Sequence, residues 1–144
     1  MSELDEARKQ RILVCLAYVQ DDLTGFHAQF GMRLLEWSEG KAKVALDVTP
    51  AVANPFGMLH GGMVATLIDH AGTIAILTAD RDTRPGVTTD LNITYFLPTP
   101  RGDTALAEAS VLRAGRTLAM VNVDVRRASD GKLVAQGRMT KYQG

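Results

Sequence analysis

Along this chain the hydrophobic and polar positions change period several times, and each change predicts an element. Residues 3–19 read as an amphipathic helix, in which Leu4, Ala7, Arg11, Val14, Cys15 and Tyr18 form a stripe that turns apolar in its later turns. After Asp21 and Asp22 the period falls to two. Phe26, Ala28, Phe30, Met32 and Leu34 share one face of a predicted strand that runs to about Trp37. Ser38-Glu39-Gly40 then reads as a turn, and Ala42, Val44, Leu46 and Val48 alternate with Lys41, Lys43 and Asp47 to complete a hairpin. Residues 49–60, punctuated by Pro50 and Pro55, read as loop.

From Gly61 to Ala79 the pattern predicts one long helix with apolar or small side chains on every face, the mark of a helix wrapped by protein. Asp69 is its only carboxylate, and a buried acid calls for a partner or a use. Four strands follow: Val87 to Tyr95, Thr104 to Arg113, Thr117 to Arg127, and Lys132 to Tyr142, the last two joined at Asp130-Gly131. Consecutive hairpins imply an antiparallel sheet, and six strands need a cover for their apolar face. The expected class is therefore α+β, with a six-stranded antiparallel sheet curled around the Gly61–Ala79 helix and an extra N-terminal helix. One line of that helix, Gly62, Ala65, Thr66, Asp69, Gly72 and Thr73, is small enough for another backbone to approach, which predicts a second copy of the subunit.

Composition narrows the picture further. The 144 residues suit one domain, with residues 1–24 as N-terminal helix and connector. Sixteen basic and sixteen acidic residues cancel, which argues against general attraction to nucleic acid. The apolar stretch Ile12 to Val19 is too short for a membrane span, and the single cysteine, Cys15, fits a small core residue in a reducing compartment. A cytoplasmic location is expected.

The run Asn54-Pro55-Phe56-Gly57-Met58-Leu59-His60-Gly61-Gly62, with Asp69 nine residues after the histidine, resembles the hotdog-fold acyl-CoA thioesterases of the phenylacetate-pathway, PaaI-like type. The resemblance extends through Gly86 to Tyr95, Gly115 to Ala119 and Gly131 to Arg138, and covers roughly residues 25–143. It implies a hotdog fold, hydrolysis of a medium- or long-chain or aryl-acetyl coenzyme A thioester without cofactor or metal, and a homotetramer built as a dimer of dimers.

Thioester hydrolysis needs an oxyanion site, an activated water or nucleophile, and a grip on coenzyme A. The resemblance assigns the oxyanion donor to the Gly61 amide at the helix start, where free N–H groups point outward, and gives Asn54 a supporting donor role. Asp69 becomes general base or nucleophile. It lies about 12 Å along the helix from Gly61, too far to serve its own helix start, so it must serve the neighbouring subunit. Thr88 takes the place of a serine that positions water, and His60 approaches the sulfur or holds the loop. Gly62, Arg113, Arg116, Arg138 and Lys141 are candidates for binding coenzyme A, the cations meeting its phosphates at the site mouth. His70 is expected to be structural. The chain carries no Gly-x-Ser-x-Gly elbow and no convincing metal-ligand spacing among its histidines. Two alternatives stand beside hydrolysis: a non-catalytic acyl-CoA-binding scaffold, and a hotdog dehydratase or hydratase, whose usual His-Phe-Pro-Gly approach to the helix is missing.

Overall fold

Nineteen residues with no proline and one charge do form the long helix, and the other elements are arranged around it. The computed structural model describes residues 5–21 and 25–144. In chain order the elements are α1 (Glu6–Asp21), α2 (Phe26–Gln29), β1 (Arg33–Ser38), β2 (Lys41–Asp47), a 3-10 turn at Pro50–Val52, α3 (Gly61–Ala79), β3 (Val87–Tyr95), β4 (Thr104–Ala114), β5 (Leu118–Arg127) and β6 (Leu133–Tyr142). The strands form one antiparallel sheet in the order β1-β2-β4-β5-β6-β3. β4, β5 and β6 are joined by hairpins. β3 instead lies at the far edge, because α3 crosses the sheet face between β2 and β3 and delivers the chain to the opposite side.

α3 packs chiefly on β2, β4 and β5. By length and hydropathy it could cross a bilayer, yet most of its surface is already covered within the subunit. Leu67, Ile68, Ala71, Ile74 and Ala75 are sealed against the sheet, whose inner face is built from small residues: Ala105, Ala107 and Ala109 of β4, Ala119 of β5 and Gly137 of β6. Small residues let the sheet curl closely around the helix. A Cβ on Gly137 would stand 2.8 Å from Ile68 Cγ2. Gly137→Ala is therefore expected to push α3 off the sheet and destabilise the fold by about 1–3 kcal/mol, read as a lower urea midpoint. An unchanged midpoint would contradict this packing.

Three sequence-based expectations differ from the structure. The alternation from Phe26 to Leu34 predicted strand throughout, but Phe26–Gln29 is a helical turn and the strand begins only at Arg33. Phe26 and Phe30 meet edge to face at 5.0 Å, an i,i+4 contact that only helical backbone allows, and Gly31 at φ +75° ends the turn. In α1 the buried positions are Ile12 and Leu16, while Val14 of the predicted stripe is exposed. The run from Ile12 to Leu16 is apolar on several faces, so periodicity left the orientation open and contact with α3 chose it. Leu4 and the Tyr18 side chain lie outside the described residues. Arg8 anchors this orientation by donating to the carbonyls of Thr78 (3.1 Å) and Ala79 (2.8 Å), at the C-terminal end of α3, and by pairing with Glu39.

The third correction concerns the small-residue line of α3. Gly72 faces the sheet, where an added Cβ would meet Met139 Cε at 2.6 Å and Val121 Cγ1 at 3.0 Å. The strip left uncovered is Gly62, Ala65, Thr66, Asp69 and Thr73, none of which is buried.

Candidate active site

The loop before α3 is held by its own polar groups. Asn54 Oδ1 accepts from the backbone N–H of Phe56 (3.0 Å) and Met58 (3.1 Å), and Gly57 turns at φ +77°. Leu59 N–H bonds Thr99 O and His60 N–H bonds Val52 O, which fixes the entry into the helix. His60 is the N-cap, its Nδ1 accepting from Gly62 N–H at 2.9 Å, so the ring proton sits on Nε2. Met63 N–H returns to His60 O. Of the amides that begin α3, Gly61 N–H alone has no acceptor among the described residues.

The two glycines thus part company. The Gly61 amide is available to a ligand, and the Gly62 amide is occupied by His60. A groove of about 410 Å³ opens beside Gly61, lined by Asn54, Phe56, Met58, Tyr95, Phe96 and Leu97 among others. Tyr95 was not singled out by sequence. Its hydroxyl donates to Gly61 O at 2.8 Å and holds the peptide plane at the helix start. Alternation showed Tyr95 only as a strand residue, and nothing local marks its reach to Gly61.

Asp69 faces a different space. Its Oδ1 accepts from Thr88 Oγ1 at 2.7 Å, and Oδ2 has no partner among the described residues, leaving it free to take a proton. Beside it lies a mainly apolar cavity of about 460 Å³, walled by Leu16, Phe26, Ile74 and Leu77 and carrying His27, His70 and Lys141. Thr88 and Lys141 are direct partners across the β3–β6 ladder, so their side chains stand on the same face of the sheet. Lys141 is only 5% exposed. It lies inside the site rather than at its mouth, contrary to expectation, because β6 alternates and its odd-numbered residues face inward. Burial pulls its ammonium below the ordinary lysine range, with Asp69 opposing that pull.

His70, adjacent to Asp69, is buried and stacks on His27 with ring centroids 3.9 Å apart and planes at 22°. Burial, with His27 beside it, lowers His70 to about 3, and burial lowers His27 as well, against the opposing pull of Asp69. Both rings are neutral at pH 7. The contact of His27 with this cavity was not legible in sequence, since it depends on the helical turn that replaces the predicted strand.

The coenzyme A candidates scatter. Arg113, Arg116 and Arg138 are exposed and line neither the Gly61 groove nor the Asp69 cavity. Arg116 belongs to a separate groove at the C-terminal end of α3, with Arg8, Arg11, Arg81 and Arg84.

The chain in which α3 carries a free amide at its start and an uncommitted carboxylate farther along matches a known family by its sequence. Residues 56–134 fit the thioesterase superfamily, more than half of the chain. The chain belongs to that superfamily. It is 42% identical to human acyl-coenzyme A thioesterase 13 over 111 residues, 77% of this chain and 79% of that protein. The crystal structure of zebrafish thioesterase superfamily member 2 superposes with a TM-score of 0.80 at 38% identity, covering 99% and 100% of the two chains. A mutant of the phenylacetic acid degradation protein PaaI from Thermus thermophilus superposes with a TM-score of 0.75 at 29% identity, covering 83% and 98%. These likenesses identify the hotdog architecture in this thioesterase, a six-stranded antiparallel sheet around α3.

Proposed function

We propose that this thioesterase hydrolyses acyl-coenzyme A at sites shared between two subunits, with Asp69 of one and Gly61 of the other. The observation that carries the reading is their separation: both lie on α3, eight residues and about 12 Å apart, and they face different cavities. One subunit therefore cannot present both groups to one thioester. The uncovered strip of α3 supports pairing with a second copy, in which two antiparallel α3 helices set each Asp69 against the opposite helix start.

In that site the Gly61 amide and the Asn54 side-chain amide receive the developing oxyanion, while His60 holds the helix start through Gly62 and turns Nε2 outward. Asp69, with Thr88 aligning its Oδ1, takes the proton of the attacking water as the C–S bond breaks, and coenzyme A leaves as thiolate. Direct attack by Asp69, giving a mixed anhydride that water then opens, uses the same groups. The apolar cavity beside Asp69 suits a medium or long acyl chain or an aryl-acetyl group. Arg113, Arg116 and Arg138 are the cations offered to the phosphates. A dimer of such dimers, acting in the cytoplasm, completes the reading.

Complementation tests it. Gly61→Pro removes the N–H at a helix position that accepts proline, and Asp69→Asn removes the base. Each variant alone is expected to be nearly inactive. Unfolded and refolded together in equal amounts, they form mixed dimers with one intact site of two, restoring about a quarter of wild-type activity. No recovery would place the whole site within one subunit and overturn the reading.

A further inference from the structure

Lysines are seldom buried, and a buried ammonium requires an anion or a use. Lys141 is 5% exposed, yet its ammonium is not sealed off: it lines the cavity beside Asp69, with no carboxylate within 4 Å and no hydrogen bond among the described residues. The fold spends structure on placing it there. The β3–β6 register sets it opposite Thr88, whose hydroxyl binds Asp69, and both strands turn these side chains toward α3. Gly86, at φ +68°, lets β3 begin close against this point: a Cβ there would meet Tyr142 O at 2.8 Å and Lys141 Cβ at 3.3 Å.

The groups facing Asp69 can be named element by element. Thr88 comes from β3, Lys141 from β6, His27 from α2, and His70 and Thr73 from α3 itself. Burial keeps both imidazoles neutral, so Lys141 supplies the cavity's only positive charge among the described residues. A cation lining the same cavity attracts the Asp69 carboxylate and stabilises the negative charge that develops as water gives up its proton.

We propose that Lys141 is a positioning residue for hydrolysis: its ammonium, in the cavity that Asp69 lines, holds the Asp69 carboxylate turned toward the water it deprotonates. The inference rests on the assignment of Asp69 as the group that activates water. It moves Lys141 from the phosphate-binding role the sequence suggested to an electrostatic role at the reacting centre.

The test compares wild type, Lys141→Met and Lys141→Arg in acyl-CoA hydrolysis across pH, alone and in the Asp69→Asn background, with thermal melting alongside. Lys141→Met is expected to lower kcat/KM about tenfold at neutral pH and to move the acid limb of the profile upward. Its melting temperature should stay near wild type, because a thioether of similar length packs against the same apolar walls. Lys141→Arg keeps the charge, and the adjoining cavity has room for the longer head. It should retain most activity and shift the alkaline limb to higher pH, since a guanidinium holds its proton where a buried ammonium loses it. In the Asp69→Asn background, Lys141→Met should add no further loss. Wild-type kcat/KM and unchanged limbs in Lys141→Met would overturn the proposal, and so would an undiminished loss in the Asp69→Asn background. Full activity of Asp69→Asn by itself would instead refute the assignment of Asp69, a result separable from any effect of Lys141.

Discussion

Asp69→Asn is expected to lower kcat by about 10²–10⁴-fold, the range contributed by a positioned general base, while leaving the oligomer and its melting temperature close to wild type. The reason lies in what asparagine preserves. It has the size of aspartate, and its carbonyl oxygen can still accept the Thr88 hydroxyl that now bonds Oδ1 at 2.7 Å. What it removes is the proton-accepting capacity of Oδ2, which no other described group uses. KM should change little, because the group acts on water more than on the bound thioester. Release of free thiol from acyl-CoAs of graded chain length measures both constants. A variant with near-normal turnover would sink Asp69 as base or nucleophile; a raised KM with unchanged kcat would reassign it to binding. A scaffold without activity is separated by the same assay, since wild type would then release no thiol at all.

The second large effect is on stability against pH. His70 titrates near 3 in the folded protein, against about 6.5 in an unfolded chain, so on acidification the unfolded state takes up the proton first. Its contribution is complete above pH 6.5 and is lost as pH falls from 6.5 towards 3, at about 1.4 kcal/mol per pH unit, on the order of 5 kcal/mol in all. His27, also lowered by burial, adds in the same direction. The carboxylates of Asp47, Asp80, Asp103 and Asp130 are held below their ordinary value, so their contributions are present above about pH 4 and lost only below it. Among the described groups with a shifted titration, the histidines therefore dominate between pH 6.5 and 4.5. Urea unfolding of wild type should show a falling free energy in that window, and His70→Phe, which keeps a ring against His27, should flatten most of it. A wild-type curve level from 6.5 to 4.5 would contradict the buried, neutral pair.

Much of this architecture could be read from the chain because its signals are local. The Gly61–Ala79 helix announced itself by length and by apolar residues on every face, and the strands after it by alternation with Asp130-Gly131 at the last turn. Asp69 stood out as the single carboxylate in that run, whereas Asn54, His60, Gly61 and Gly62 gained their roles only through the family resemblance that their run carries. Short or uniformly apolar segments were less legible. Phe26 to Gln29 fits either period, and the choice of Ile12 and Leu16 over Val14 as the buried face of α1 was made by contact with α3 and by the grip of Arg8 on its last carbonyls.

What sequence by itself determined is therefore the set of elements and the identity of the unusual residues, since periodicity, turn chemistry and a lone charge in an apolar run are properties of neighbours in the chain. Only the tertiary structure decided which of those residues meet. The β3–β6 register placed Lys141 beside Thr88 and Asp69, the helical turn at Phe26–Gln29 brought His27 onto His70, and Tyr95 reached Gly61 across 34 residues. Such contacts are fixed by strand order and by the path of α3 across the sheet, which no window of adjacent residues encodes.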